Sequence, residues 1–381
     1  MRLGFVGLGW AARGFHLPAA KRVAGAEAVG GTDLSAEQRD SWQRETGLPA
    51  FSSLDELVER ARPDVLVIGT PPDSHAELCL QALAAGAHVL CEKPFVSTIE
   101  EADRVLAAAA AAGRQVAVNH EFREKPIFRA LIDRIGSPDV GRLVFTQIWQ
   151  LMNLAPWDEP VAWRRAMPNR SLFEGGVHLV DLLLVIHGGE LPQAVYARHT
   201  SGLDPERNAD AIHLLTLEFS GRRLAQITID RLCPAATRYV EVRADCEHAS
   251  LRASLGGRAL VRIGAKRAEK TGLQVEFGSG GLAWLERGVE RTTIARAPRD
   301  AGVYGTARLL EQVLAAFEAG REPPSSGREG RNALRVIEAA YRSAETGERI
   351  VLARDDERQV RGGDAAVERV GGEGQPVDAG G

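Results

Sequence analysis

The sequence predicts an α/β protein in two parts, a parallel sheet covered by helices followed by a mostly antiparallel sheet with a few helices. Three observations predict this class. Over the first 120 residues, short apolar runs rich in β-branched residues alternate with longer runs of helical spacing. After about residue 140, alternating runs joined by short turns follow one another instead. A length of 381 residues also favours two domains over one.

The strands predicted in the first part are separated by helical segments. Such an order requires right-handed crossovers, which produce a parallel sheet with helices on both faces. The predicted strands are Leu3–Val6, Ala26–Gly31, Val65–Gly69, His88–Cys91 and Gln115–Asn119, and the predicted helices include Leu54–Ala61, Ala76–Ala85 and Ile99–Ala112.

Capping boxes mark four helix starts in this part. In this motif a serine side chain and an acidic or amide side chain three residues later satisfy the free backbone N–H groups of the first turn. The pairs are Ser35 with Gln38, Ser53 with Glu56, Ser74 with Glu77, and Ser97 with Glu100.

The second part is predicted to be an antiparallel sheet interrupted by one apolar helix, Gly175–His187, and closed by two helices, Val303–Ala319 and Glu329–Ala344. We expect domains over residues 1–122 and 123–350, and a disordered glycine-rich tail over 354–381. The predicted strands are Leu143–Leu151, Ala194–Thr200, Ile212–Phe219, Leu224–Asp230, Tyr239–Ala244 and Ala259–Ile263.

Composition excludes several function classes. With 47 Lys and Arg against 51 Asp and Glu, the net charge of −4 offers no basic field for nucleic acid or an anionic membrane. The four cysteines lack CxxC spacing, so neither a zinc site nor a disulfide framework is indicated. No run approaches the roughly 18 apolar residues of a membrane span, and the N-terminus lacks signal-peptide features. We therefore expect a soluble, cytoplasmic protein.

A glycine motif follows the first predicted strand. Gly7, Gly9 and Ala12 fit the pattern G-x-G-x-x-G/A, in which the first glycine makes a tight turn, the second admits a pyrophosphate, and a small third residue allows close packing. Asp33 ends the second strand, where a carboxylate accepts hydrogen bonds from an adenosine ribose. The alternative is a simple strand-end turn residue. Because this carboxylate repels a 2′-phosphate and no arginine follows directly, NAD is favoured over NADP.

Two further segments concentrate ionisable groups. Lys93, before Pro94, ends a predicted parallel strand, where open α/β sheets place ligands, although most strand-end lysines are simply solvated. Glu174, His178 and Asp181 are spaced by four and three residues, which puts them on one side of a helix or its first turn. Their neighbours are apolar, so these groups require partners or a cleft. The alternative is a core histidine capped by a carboxylate.

These segments together resemble the glucose–fructose oxidoreductase/inositol dehydrogenase (Gfo/Idh/MocA) family. The resemblance covers residues 1 to about 350 in order and spacing. It is carried by the sequences GLGWAA, TD, GTPPDSHAELCLQALAAGAHVLCEKPF and EGGVHLVD. It implies a Rossmann domain followed by an α/β domain with a large open sheet, through which a homodimer or homotetramer forms.

The resemblance also implies roles for individual residues. Thr70, Pro71 and His75 are expected along the cofactor, and Glu92 and Lys93 near the nicotinamide ribose. The family pattern D-x-G-x-H-x-x-D falls on residues 174–181, which makes His178 the acid/base, Asp181 a substrate residue and Lys93 its catalytic assistant. The first position of that pattern is Glu174 here, one methylene longer, and it either orients His178 or reshapes the pocket.

Weaker candidates lie near these groups. Trp163, like Trp149 and Trp157, precedes the predicted catalytic helix and could stack on a sugar, although core packing is the better explanation for at least two of them. His120 and Glu121 follow the fifth predicted strand and could line the cleft or belong to a solvated loop. No spacing supports a metal site, so none is predicted.

Three functions remain open from the sequence. The leading hypothesis is an NAD(H)-dependent oxidoreductase that acts on a hydroxyl of a small polyhydroxylated substrate, a sugar, cyclitol or sugar derivative. In this reaction His178 would take the hydroxyl proton and Lys93 would stabilise the developing alkoxide. The alternatives are an NAD-dependent glycosidase, which oxidises its substrate only transiently, and a non-catalytic NAD-binding regulator.

Overall fold

Two sheets organise the chain, and the polar groups singled out above lie where they meet. The structure is a computed structural model, and it describes residues 1–153, 163–164, 167, 169–202, 210–234, 239–256, 258–263, 273–278 and 280–352. The predicted tail and Trp157 lie outside the described residues.

The first sheet is parallel throughout, with strand order β3-β2-β1-β4-β5-β6. This confirms the predicted parallel sheet, since helices connect its strands. The five expected strands are present within one residue at each end, and only the two-residue β3 was not predicted. The strands are β1 (Arg2–Val6), β2 (Glu27–Thr32), β3 (Ala50–Phe51), β4 (Val65–Ile68), β5 (His88–Cys91) and β6 (Val116–Val118).

The helices of this part cover both faces of the sheet. Leu3, Phe5 and Leu8 lie in one apolar cluster, and the opposite face of the sheet belongs to another. A π-helical turn, Ala12–His16, runs directly into the first α-helix. The α-helices are α1 (Leu17–Ala20), α2 (Ala36–Thr46), α3 (Leu54–Ala61), α4 (His75–Ala84) and α5 (Ile99–Ala112).

Two of the four predicted helix caps form as expected. Ser35 and Ser53 accept hydrogen bonds from the backbone N–H three residues on, at 3.3 and 3.1 Å. The prediction at Ser74 is wrong, because its hydroxyl bonds Thr70 Oγ1 at 2.7 Å instead. The prediction at Ser97 is wrong by one residue: Thr98 is the cap of α5 and accepts from the N–H of Glu101.

The second sheet has nine strands within the described residues, in the order β16-β15-β12-β11-β7-β10-β9-β8-β17. It is antiparallel except for the β10–β7 pair, as the prediction of a mostly antiparallel sheet requires. The expected strands are β7 (Leu143–Leu151), β8 (Ala194–Thr200), β9 (Ile212–Glu218), β10 (Leu224–Asp230), β11 (Val240–Cys246) and β13 (Arg258–Ile263). The strands not predicted are β12 (Ser250–Leu255), β14 (Leu273–Gly278), β15 (Gly281–Arg287), β16 (Glu290–Arg296) and β17 (Ile350–Val351), and β13 and β14 form a separate hairpin.

Two short segments and two helices carry the chain between the sheets. A 3₁₀ turn, Glu121–Glu124, follows β6 and leads into α6 (Pro126–Arg134). A π-helical turn, Ser171–Gly176, leads into the apolar helix α7 (Val177–Ile186). The predicted helix began at residue 175, whereas Glu174 lies in the π turn, outside the α-helix that holds His178 and Asp181.

The last two helices return to the first sheet. Helix α8 (Ala301–Glu318) buries leucines in the same apolar cluster as β1. Helix α9 (Gly327–Thr346) contacts α5 and β6 on one side and α7 and β8 on the other. At Gly330 a β-carbon would lie 2.8 Å from Val118 Cγ2, so glycine is required for this close packing. Together, the last two helices therefore contact both sheets.

Candidate active site

The groups predicted to bind and react lie at one edge of the parallel sheet. Gly7 follows β1, Asp33 follows β2, Thr70 follows β4, Lys93 follows β5 and His120 follows β6. Because the carboxyl ends of parallel strands meet at the same edge, where open α/β sheets bind ligands, five separate segments of sequence converge here.

The glycine turn after β1 has the shape that a phosphate requires. Gly7 has φ of +87°, and a β-carbon there would lie 2.8 Å from Thr70 Cγ2, so only glycine fits. At Gly9 a β-carbon would have no atom within 4 Å, so the space over the backbone is open. Ala12 is buried at the start of the π-helical turn, whose first N–H groups suit an anion. These residues fit the pyrophosphate of a dinucleotide.

Asp33 ties the end of β2 to this turn. Its carboxylate accepts hydrogen bonds from the backbone N–H of Leu8 and of Ser35, both at 2.9 Å. Arg39, which the sequence analysis did not consider, donates to the main-chain oxygens of Asp33 and Leu34 at 2.7 and 3.0 Å. Its guanidinium therefore holds the backbone of this turn through hydrogen bonds to main-chain oxygens, while the Asp33 carboxylate bonds backbone N–H groups.

His75 lies deeper than the sequence suggested. Its ring is fully buried, with Nε2 2.9 Å from the oxygen of Thr70 and Nδ1 2.9 Å from that of Pro94. Burial lowers the pKa of His75, although the hydrogen bonds to these carbonyls act in the opposite direction. The ring thus joins the loops after β4 and β5, including the turn at Pro71, and leaves no surface for a ligand.

Glu92 joins three segments at the sheet edge. Its Oε1 accepts from Asn119 Nδ2 at 2.7 Å and lies 2.8 Å from His16 Nε2, and its Oε2 accepts from the N–H of Lys93 at 3.1 Å. Burial raises the pKa of this carboxyl, but His16 and Lys93 outweigh it and lower the pKa to about 2. Glu92 is therefore an anion that fixes the backbone next to Lys93.

Lys93 and Glu174 form an ion pair between the two parts of the chain. Lys93 Nζ donates to Glu174 Oε1 at 3.1 Å and to the Glu174 main-chain oxygen at 3.2 Å. Burial lowers the pKa of Lys93, but Glu174 and Glu92 outweigh it, and the net pKa is raised. Burial raises the pKa of Glu174, but Lys93 and Arg164, the latter 3.3 Å from the same oxygen, lower it to about 2. Both groups are therefore charged at neutral pH.

His178 lies beside this pair and is held by an aromatic ring. Its imidazole stacks on Phe122 with ring centroids 4.3 Å apart and an interplanar angle of 10°. Only 8% of the side chain is exposed, and Nδ1 has no hydrogen-bond partner among the described residues. Burial, followed by the charges of Lys93 and Lys125, lowers the pKa of His178 well below 6.5. The imidazole is therefore neutral at neutral pH, the form that a general base requires.

His120 and Trp163 lie differently with respect to His178. His120 is fully buried, its ring centroid is 6.3 Å from that of His178, and neither ring nitrogen has a partner among the described residues. Burial lowers the pKa of His120. Trp163 is partly buried, and the guanidinium of Arg164 lies 5.1 Å from its ring centroid. His120 thus lies edge-on to the ring of His178, while Trp163 lies by the arginine that contacts Glu174.

Asp181 does not join the cluster around Lys93. Its carboxylate, almost fully buried, accepts two hydrogen bonds from Arg123, one of them from Nε at 3.1 Å. Arg123 also donates to Glu329 Oε2 at 2.5 Å, which links α7 to α9. Burial lowers the pKa of Arg123, but Asp181 and Glu329 outweigh it and raise the pKa. Of the three groups predicted to share one side of a helix or its first turn, Glu174 thus pairs with Lys93 and Asp181 with Arg123.

Glu121 was a weaker candidate from the sequence, whereas Lys125, Arg231 and Asp210 were not predicted. Glu121 and Lys125 form an ion pair at 3.0 Å, and Glu121 Oε2 lies 3.6 Å from His178 Nδ1. Arg231 packs on the π turn: a β-carbon at Gly175 would lie 1.8 Å from its Nη2, so a larger residue there would displace this guanidinium. Asp210 accepts from the N–H of Ser171 at the start of that turn. The signal for Glu121 was its position after a parallel strand, as for Lys93.

Neither a metal-binding cluster nor a membrane-spanning helix occurs among the described residues. Among the described residues, no group of three or more His, Cys, Asp and Glu side chains is arranged to hold a metal ion. Within the same parts of the chain, none of the helices has the length and apolar character needed to cross a membrane.

Comparisons with protein families match both parts of the chain. Residues 1–120 match the model of the Gfo/Idh/MocA oxidoreductase family with an NAD-binding Rossmann fold. Residues 128–252 match the model of the Gfo/Idh/MocA C-terminal domain.

Individual relatives cover nearly the whole chain. The 1,5-anhydro-D-fructose reductase of Ensifer adhaerens is 27% identical over 360 residues, which span 91% of this chain and 97% of the reductase. The D-apiose dehydrogenase of Paraburkholderia graminis is 26% identical over 359 residues, 91% of this chain and 88% of the dehydrogenase. An oxidoreductase from Agrobacterium radiobacter, solved with NAD⁺, L-tartaric acid and magnesium, shares the fold with a TM-score of 0.78 at 17% identity, covering 92% of this chain and 98% of that chain.

The buried Arg123–Asp181 pair generates a test of what Asp181 does. Replacing Asp181 with leucine leaves a buried guanidinium with one partly exposed partner, and we expect the free energy of unfolding to fall by about 3–5 kcal/mol. The double variant Arg123→Met/Asp181→Leu should recover most of this loss, because it removes both charges. Urea denaturation measures both values.

The exposed pair Arg129–Asp133 provides the control. Asp133→Asn should change the free energy of unfolding by less than about 1 kcal/mol. If Asp181→Leu instead unfolds like the wild type and only raises the KM for substrate, Asp181 is a substrate residue.

Proposed function

The chain is a member of the Gfo/Idh/MocA family of oxidoreductases with an NAD-binding Rossmann domain, and from this premise we propose the reaction it catalyses. It interconverts a secondary hydroxyl and a carbonyl on a sugar, a cyclitol or a derivative of these, with His178 as acid/base and Lys93 as its assistant. One observation carries the proposal: a neutral imidazole and a charged ammonium lie together at the sheet edge that also holds the glycine turn.

The cofactor site is built from the loops at that edge. Gly7, Gly9 and Ala12 would hold the pyrophosphate, and Asp33 the adenosine ribose. Glu92 fixes the backbone at Lys93 and His75 fixes the backbone at Thr70, where the nicotinamide half would lie. Bound NAD⁺ supplies the acceptor for the hydride that leaves the substrate carbon.

His178 and Lys93 have different roles in the proposed reaction. His178 takes the hydroxyl proton during oxidation and returns it during reduction. Lys93, held by Glu174, carries a fixed positive charge that stabilises negative charge on the same oxygen. Neither group needs to change its charge before substrate binds, because burial and neighbouring charges already hold His178 neutral and Lys93 protonated.

The substrate class follows from the relatives and the site. Both curated relatives reported above act, by their names, on sugars or anhydro sugars. The Arg164 and Lys93 side chains near Glu174 supply donors that suit a polyhydroxylated molecule.

A substrate panel with NAD⁺ tests the proposal. Aldoses, anhydrohexitols and cyclitols are incubated with the enzyme, and NADH is followed by absorbance. We expect net NADH with at least one of them, and His178→Gln and Lys93→Met should each lower kcat by about 10²–10³-fold. Binding of NAD⁺, measured by calorimetry, should stay nearly unchanged.

The exposed residues His248 and Lys21 provide matched controls, since His248→Gln and Lys21→Met remove the same side-chain types far from the site. Wild-type rates in His178→Gln and Lys93→Met would refute the assignment. Release of an aglycone without net NADH would identify a glycosidase, and tight NAD⁺ binding without any turnover would identify a regulator.

We also propose that the enzyme is a cytoplasmic homodimer or homotetramer that associates through the outer face of the second sheet. That face carries exposed apolar side chains in adjacent strands: Tyr196, Leu214 and Leu224. Tyr196 pairs with Thr216 and Leu224 with Glu218, at even spacings from Leu214 on β9, so the three side chains lie on the same side of the sheet. Exposed apolar side chains that share one face of a sheet are typical of an interface.

Light scattering after gel filtration measures the mass in solution. We expect a multiple of 41.1 kDa for the wild type and a smaller species for Leu214→Lys/Leu224→Lys, because two charges would be buried in the interface. Leu34→Lys, which changes an exposed leucine of the first domain, is the control and should keep the wild-type mass. A monomeric wild type contradicts this part of the proposal.

A further inference from the structure

The buried nitrogen of His178 faces a carboxylate that lies outside its own helix. His178 Nδ1 is 3.6 Å from Glu121 Oε2, and no closer partner exists among the described residues. Glu121 lies in the 3₁₀ turn after β6, and only 12% of its side chain is exposed. A carboxylate at this distance needs to move only a few tenths of an ångström to accept a hydrogen bond from an N–H on Nδ1.

Glu174, the acidic residue four positions before His178, is engaged elsewhere. Its Oε1 accepts from both Lys93 and Arg164. It lies in the π turn that precedes the helix of His178. Among the described residues, none of the hydrogen bonds of Glu174 runs to the imidazole.

Glu121 is held in place by its own segment. Lys125 Nζ donates to Glu121 Oε1 at 3.0 Å, which leaves Oε2 directed at His178. The same ammonium lies 3.5 Å from the centroid of the Phe122 ring, and that ring stacks on the imidazole. Glu121, Phe122 and Lys125 of this one segment therefore fix both the face and one edge of His178.

We propose that Glu121, and not Glu174, is the acidic partner and positioning residue of His178. This inference rests on the function proposed above. A neutral imidazole acts as a base at Nε2 only if its proton is on Nδ1, and Glu121 Oε2 selects that tautomer by accepting the Nδ1–H. When Nε2 takes the hydroxyl proton, no other proton moves, and the positive charge on the ring is stabilised by the adjacent carboxylate.

The charges around His178 show why such a partner is needed. Lys93 and Glu92 face the imidazole from the loop after β5, His120 and Glu121 from the loop after β6, and Lys125 from the start of α6. The two lysines oppose protonation of the ring, and burial acts in the same direction, so the pKa of His178 is low. Glu92 acts in the opposite direction, and in our proposal the carboxylate of Glu121, 3.6 Å from Nδ1, adds to this opposing effect.

The pH dependence of turnover tests the proposal in the full enzyme. Glu121→Gln removes the anion, which destabilises the imidazolium and lowers the pKa of His178. The acid limb of the kcat profile should therefore move to lower pH by about one unit. The plateau kcat should fall about tenfold or more, and the KM for NAD⁺ should not change.

Three further variants distinguish a role of Glu121 in positioning His178 from a role in folding alone. Glu121→Asp keeps the charge and should keep the wild-type acid limb with a lower kcat. Glu174→Gln should lower kcat through Lys93 but move the acid limb less than Glu121→Gln does. Glu124→Gln changes a glutamate of the same turn that bonds Gln312, and it should leave both rate and profile unchanged.

A second readout does not depend on turnover. In protein labelled with ¹⁵N-histidine, the ring signals of His178, assigned by their loss in His178→Gln, report tautomer and pKa. We expect the proton on Nδ1 in the wild type and a lower pKa in Glu121→Gln. This measurement stands even if no substrate is found, so its failure is distinct from failure of the proposed function.

Two results would overturn the proposal. One is a lower rate in Glu121→Gln with an unchanged acid limb and unchanged ring titration, which indicates only a structural role. The other is a shift of the titration that appears in Glu174→Gln instead of Glu121→Gln.

Discussion

The buried ion pair between Lys93 and Glu174 is the interaction on which the rest of the site depends. It joins the carboxyl end of β5 in the first sheet to the π turn that begins helix α7 of the second part. Both side chains are more than four-fifths buried, and removing one partner of such a pair generally costs about 3–5 kcal/mol. The pair therefore fixes where the second part meets the first, and it sets the charge of Lys93.

Burial and the charge of Lys93 act together on His178. Burial lowers the pKa of the imidazole most, and the adjacent ammonium lowers it further, so the ring is neutral at neutral pH. Around it, His75 and Glu92 join neighbouring loops by hydrogen bonds, and Asp33 ties the glycine turn to β2. These polar groups have partners, which lets the sheet edge keep its shape while the space over Gly9 stays open.

Local sequence patterns predicted the first sheet almost to the residue, because each strand is a short apolar run bounded by turns. The same logic identified Gly7, whose positive φ and contact with Thr70 leave no alternative. Strands such as β12 and β15 were missed, since serine, arginine and glycine interrupt their apolar alternation. Side-chain partners were the least predictable: Asp181 meets Arg123 and His178 meets Glu121 across 58 and 57 residues of sequence.

A crystal structure of the enzyme with NAD⁺ and a substrate analogue tests the central claim most directly. We expect Lys93 Nζ and His178 Nε2 to lie within hydrogen-bond distance of one substrate oxygen, next to the nicotinamide. Lys93 should still be bound to Glu174. A complex in which the imidazole is closed off from the substrate, or in which Lys93 and Glu174 have separated and the ammonium points into solvent, would contradict it.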